Sequence, residues 1–144
     1  MATENPVYVK GLDARQCVAS AFFELTYADF VARANVIDIF APPGSEAIGG
    51  EFIVVDPSND SGTDTIKIGD SVDDDRYLAA TSAKAAAGTR TAVTPTGYLY
   101  PGQGTSAAPF ARLTRTPQNG NATAGKWRFR LDYVTIGKSE WTEG

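Results

Sequence analysis

A chain of 144 residues with 42% apolar content holds one domain with a core of its own. The formal net charge is −4, with acidic and basic groups mixed along the chain, which argues against nucleic acid and anionic membrane as main partners, since both need a net basic face. There is no histidine and one cysteine, Cys17, read as a small apolar side chain; this removes Ser-His-Asp and Cys-His catalysis, the usual zinc sites and any intrachain disulfide. No apolar run approaches membrane-spanning length, and the opening MATENPVYVK has no signal-peptide core, so synthesis in a cytoplasm without standard export is expected.

Residues 1–16 lack periodicity and are expected to form an extended N-terminal arm, with residues 17–144 as the folded domain. The arm carries Val7, Tyr8, Val9 and Leu12, too few apolar groups to bury themselves, so it should order on a partner. The alanines of ARQCVASA (14–21) would also permit a helical turn, but the stretch is read as strand. AFFELTYADF places Phe23, Leu25 and Tyr27 on one strand face. NVIDIF and GEFIVVD are β-branched runs bounded by turn residues, expected to be strands covered on both faces. APPGS (41–45) ends the first of these, and DPSNDSGTD (56–64) reads as a hairpin connection into TIKI. DTIKIGD sets Ile66 and Ile68 on one face and Lys67 on the other.

GDSVDDDRYL gathers Asp70, Asp73, Asp74 and Asp75. Their spacing does not match a helix-loop-helix calcium loop, which also needs a distal glutamate, and adjacent aspartates of an extended chain make a poor acid–base pair. A non-standard calcium site is the sharper reading. The plainer one is an exposed turn with its like charges kept wet and a local Asp75–Arg76 ion pair. SAKAAAG (82–88) is expected to be the one short helix, stopping at Gly88. YPGQGTSAAP (100–109) lacks the lysine and following helix of a phosphate loop and reads as a surface loop. Tyr98, Tyr100, Trp127 and Trp141 are a sugar-stacking platform or, more commonly, core and interface anchors.

TPQNGNATAG (116–125) contains the Asn-Gly turn signal. After it, KWRFRLDYVTI alternates cleanly: Trp127, Phe129, Leu131 and Tyr133 share one face, Arg128, Arg130 and Asp132 the other. Arg112, Arg115, Arg128 and Arg130 thus fall on two strands expected to pair, forming a solvated face or a docking surface for acidic protein partners. Short strands at this spacing, with Gly and Pro between, define an all-β chain, a jelly-roll or β-sandwich with one short helix.

The segment order VIDIFAPPGSEAIGGEFIVVDPSNDSGTDTIKIGD, DRYLAAT, KAAAGTRTAVTPTGYLY and AGKWRFRLDYV resembles a family of small virion structural proteins of tailed bacteriophages, over roughly residues 28–136. Better-described proteins of this sort are capsid cement or decoration proteins with jelly-roll-like folds. The resemblance implies a binding protein, not an enzyme, with no cofactor. Its partner would be the phage major capsid protein, its place the capsid surface of the virion, and its own state a homo-oligomer, dimer or trimer. The rival readings are a tail or head-tail component and a carbohydrate-binding adhesin module. On this reading the acidic stretch is a family turn. The candidate partner-binding residues are Val7, Tyr8, Val9 and Leu12 of the arm and Arg112, Arg115, Arg128 and Arg130 of the strands.

Overall fold

The computed structural model describes residues 18–40, 45–96 and 110–135. In chain order these form β1 (Ala19–Thr26), α1 (Tyr27–Ala32), β2 (Val36–Ile39), β3 (Ser45–Asp56), β4 (Asp64–Gly69), β5 (Leu78–Ser82), β6 (Arg90–Ala92), β7 (Ala111–Pro117) and β8 (Lys126–Thr135). The strands make two four-stranded antiparallel sheets, ordered β1-β8-β3-β6 and β2-β7-β4-β5. Among the described strands only β4 and β5 are sequential neighbours within one sheet; every other connection passes to the opposite sheet. This is the winding of a jelly roll, an all-β sandwich as the strand pattern predicts.

The core lies between the sheets and follows the period-two pattern. Trp127, Phe129 and Leu131 of β8 and Phe52 and Val54 of β3 face Ile66 and Ile68 of β4 and Leu113 of β7, all fully buried. The aromatic rings interlock: Phe129 stacks on Phe23 at 5.6 Å and tilts against Phe52 at 5.3 Å, and Phe30 meets Trp127 edge-on at 5.8 Å. Tyr133 is half-buried against the same core and touches Phe110. The β3–β8 ladder shifts register at two irregularities, between Ala47 and Gly49 and between Val54 and Asp56, and passes Gly50 at φ +144°, where an added Cβ would collide with the Arg130 carbonyl oxygen. Only glycine fits there.

The helix lies elsewhere than expected. Its sequence is YADFVA, not SAKAAAG. Thr26 and Asp29 form a capping box, in which the Thr26 hydroxyl accepts from the Asp29 backbone N–H and the Asp29 carboxylate accepts from the Thr26 N–H. That cap ends β1, takes Tyr27 out of the strand and turns Phe30 into the core. Residues 83–88 form turns because tertiary partners claim their backbone. Ala83 donates to Asp64 and its carbonyl accepts from Ser58 N–H and the Trp127 indole, while Gly88 N–H donates to Val54. Gly88 does adopt positive φ, at +89°.

The structure also departs from three expected connections and faces. Residues 57–63 form no hairpin, since β3 and β4 lie in different sheets. The run NVIDIF is covered on one face only, with Val36, Asp38 and Phe40 exposed and Ile37 buried, whereas in EFIVV Phe52 and Val54 are buried and Glu51, Ile53 and Val55 are half-buried. The two arginine-bearing strands, β7 and β8, do not pair; they belong to opposite sheets. Among the described residues no helix is long and apolar enough to cross a membrane.

Candidate functional site

The four strand arginines reach three different settings. Arg128 and Arg130 stand on the outer face of the β1-β8-β3-β6 sheet because they alternate with the core residues of β8. The register sets Glu24 and Ile53 beside Arg128, Phe22 and Glu51 beside Arg130, and Ser20 beside Asp132. Arg128 donates to Glu24 at 2.8 Å, Lys126 reaches the same carboxylate at 3.8 Å, and Arg90 of β6 donates to Glu51 at 2.7 Å. Arg130 lies 3.2 Å from Asp132 and 3.9 Å from Glu51, and Ser20 donates to Asp132. The Arg128 hydrogen bond, aided by the two positive charges and opposed by partial burial, holds the Glu24 carboxyl below its usual range.

This face is therefore a lattice of interleaved charges, not a bare basic patch. Its four cations, Lys126, Arg128, Arg130 and Arg90, share the three carboxylates of Glu24, Glu51 and Asp132. Such exposed pairs fix geometry and register more than they stabilise. Within the lattice stands Phe22, 61% exposed.

Arg112 faces outward on the second sheet and grips Asp38 with two parallel bonds, Nε to Oδ1 at 2.7 Å and Nη2 to Oδ2 at 3.0 Å. That hydrogen bond keeps the guanidinium even more firmly protonated than usual. Arg115 does not belong to any surface, contrary to its expected place. It points into the sandwich, 3% exposed, and its Nε and Nη2 hold Asp64 at 3.0 and 2.6 Å. Ser58 donates to the same carboxylate and the Trp127 ring lies 5.7 Å from the guanidinium carbon. The sequence offers one sign of this: Arg115 continues the inward parity of Ala111 and Leu113.

The acidic stretch divides in two. Asp70 is no wet turn residue; it is 1% exposed. Its Oδ1 accepts from the backbone N–H groups of Val72 and Asp73, and its Oδ2 takes Arg76 Nε at 2.6 Å. Arg76 thus pairs with Asp70 and not with Asp75, because the loop folds back over the end of β4, where Tyr77 N–H bonds the Ile68 carbonyl. Asp73, Asp74 and Asp75 each bring a carboxylate oxygen within 4.8 Å of the others, a group that could hold a hard divalent cation. Asp74 already takes Lys67 at 2.6 Å. The hydrogen bond its protonated form donates to Asp73, partial burial and the neighbouring negative charges push the Asp75 carboxyl up, with Lys67 acting weakly against them.

A polar knot not foreseen from the sequence closes the opposite end of the β4 strand. Burial pushes the Asp60 carboxyl up, but backbone N–H groups of Gly62, Asn119, Asn121 and Gly120 outweigh that and leave it low. Asn59 accepts from Thr123 and Ala124 N–H, and Lys84 donates to the carbonyls of Asp60 and Gly62. The clustered Asn, Asp and Ser of the two crossovers were the available signal. Its polar groups bond one another, so the knot ties residues 57–63 to 117–125.

Trp127 cannot stack on a sugar, since it is buried and its indole N–H bonds Ala83. Tyr98, Tyr100, Trp141, Cys17, the loop 100–109 and the arm residues Val7, Tyr8, Val9 and Leu12 lie outside the described residues.

No protein-family model matches this chain, and no curated protein does. Among solved structures, a chain of the cyanophage Pam1 capsid asymmetric unit superposes with a TM-score of 0.68 at 16% identity, covering 92% of this chain and 94% of that one. The two chains share a fold over nearly their whole lengths.

Proposed function

We propose that the chain is a structural subunit of a phage virion that binds the capsid shell as a cement or decoration protein. The observation that carries this reading is the whole-length likeness to a chain of a cyanophage capsid asymmetric unit. The order of sequence segments supports it independently, since that resemblance rests on residues and not on the fold. The chemistry is consistent with binding and not turnover: the chain has no histidine, and among the described residues the buried carboxylates Asp64 and Asp70 are each held by an arginine and Asp60 by backbone N–H groups.

The mechanism is added interface. Each copy bound across neighbouring shell subunits stabilises the assembled state by mass action, because it binds the lattice and not the separated subunits. Copies bridging two subunits gain further from effective concentration. The outer sheet face, with cations and carboxylates interleaved, suits a partner with alternating charge rather than a uniformly acidic one. The arm is proposed as a second contact: fully extended, 16 residues span on the order of 50 Å, enough to reach an adjacent subunit.

Co-sedimentation with particles stripped of the native copy tests this. The full chain should bind to saturation and raise the temperature at which the particles break open. Deleting residues 1–12 should leave a folded domain that binds weakly. Failure of the full chain to bind would remove the cement role.

A further inference from the structure

The four sheet edges are not equally guarded. Exposed edges invite strand addition, and proteins blunt them with short strands, register breaks, prolines or lysines. β6 has three residues and β2 four, and β5 has five with a register break against β4. β1 is different. It runs eight residues, pairs with β8 in unbroken register, and has no described strand on its other side. Its sequence ASAFFELT contains no lysine and no proline. Its one charge, Glu24, is held by Arg128 and Lys126 from the β8 side. Phe22 is 61% exposed on it and Val18, just before it, is 62% exposed.

We infer that β1 is a self-association edge, pairing antiparallel with β1 of a second copy across a two-fold axis at Phe22. The strand is complementary to its own reverse in that register. On the inward face Ala19 falls opposite Leu25 of the second copy and Ala21 opposite its Phe23, so each small side chain meets a large one. On the outer face Phe22 meets its own counterpart, and Glu24 meets Ser20 rather than another carboxylate. Aromatic pairs directly opposite each other are among the favourable cross-strand contacts. Moving the axis to Glu24 would set two carboxylates face to face, and moving it to Ala21 would set Phe22 against Ser20. The two-fold at Phe22 merges two four-stranded sheets into one of eight strands and extends the charge lattice across the junction. This inference stands on the edge alone, independently of the virion reading.

The test is self-association of the purified full chain. Sedimentation velocity should show a reversible dimer, and Phe22→Lys should weaken it by more than about tenfold, as expected for a central aromatic anchor. Phe22→Lys should fold normally, since the side chain is exposed. In a Cys17→Ser background, Phe22→Cys should form a disulfide-linked dimer on mild oxidation, because directly opposed Cα atoms lie about 4.5–5.5 Å apart. Glu24→Cys in the same background should not, its two copies being about 14 Å apart along the strands. A monomer at all concentrations, a trimer, or a dimer untouched by Phe22→Lys would overturn the edge assignment. Linkage through position 24 and not 22 would overturn the register.

Discussion

Removing the Asp64 carboxylate should be among the most damaging single changes to this fold. The Arg115 side chain is 1% exposed and that of Asp64 is fully buried, with the guanidinium Nε and Nη2 both engaged. Asp64→Ala leaves a cation in the core with a single aromatic face, Trp127, as partial compensation. Breaking one side of a buried pair costs about 3–5 kcal/mol. That is a large share of the roughly 5–15 kcal/mol that holds a domain of this size together. Replacing both partners with apolar residues, Asp64→Leu with Arg115→Met, should recover most of the loss, because it removes the desolvated charge as well. The outer pair offers an internal contrast: Asp38→Ala frees Arg112 into water and should cost under about 1 kcal/mol. Urea denaturation followed by tryptophan fluorescence reads all three, with Trp127 as a reporter inside the core. A cost for Asp64→Ala no larger than that for Asp38→Ala would refute the reasoning and return Arg115 to the surface.

Phe129→Ala should cost about 3–5 kcal/mol as a buried aromatic truncation, whereas Arg130→Ala, on the other face of the same strand, should cost under about 1 kcal/mol; reversed losses in urea titrations would invert the face assignment. Gly50→Ala should destabilise by more than about 2 kcal/mol, since both its φ and the Arg130 carbonyl oppose a Cβ; an unchanged urea midpoint would contradict that close approach. Stability should be flat from neutral pH to about 5 and fall below about pH 4. The carboxyls of Glu24, Asp29 and Asp60 are lower in the fold than in the unfolded chain, so their contribution exists above the unfolded values and disappears as pH drops through the folded ones. Asp75 has the opposite sign: its raised carboxyl makes the ionised form a burden, so Asp75→Asn should stabilise at neutral pH and have no effect once Asp75 is protonated in acid. Loss of stability in Asp75→Asn at neutral pH, or a melting temperature that drops with chelator, would mean the acidic trio holds a cation.

The strands with strict alternation were legible because their two faces differ in solvent. Trp127, Phe129 and Leu131 against Arg128 and Arg130, and Ile66 and Ile68 against Lys67, sort as the period of the pleat requires. What escaped were decisions made by distant partners. The alanines of 83–87 have helix propensity, but Asp64, Ser58 and Trp127 take the backbone of Ala83 first. A short helix at Tyr27–Ala32 depended on the Thr26–Asp29 cap, a spacing visible in the sequence but hidden inside an apparently continuous strand pattern. The charged groups were the least legible. Arg112 and Arg115 are three residues apart on one strand, yet opposite parity sends one to water and one to the core. Asp70 differs from Asp73, Asp74 and Asp75 only by standing at the end of β4, where the returning loop buries it under Arg76. Hairpin turns and sheet-to-sheet crossovers also share the same Asn, Asp and Gly vocabulary, so DPSNDSGTD could not reveal which one it makes.

The most direct test of the proposed capsid role is the copy number of the chain in purified virus particles. Quantitative mass spectrometry of intact, tailless heads should find it in a fixed ratio, comparable to that of the major shell subunit. A handful of copies per particle, copies that leave with the tail, or no copies at all would contradict the proposed capsid role.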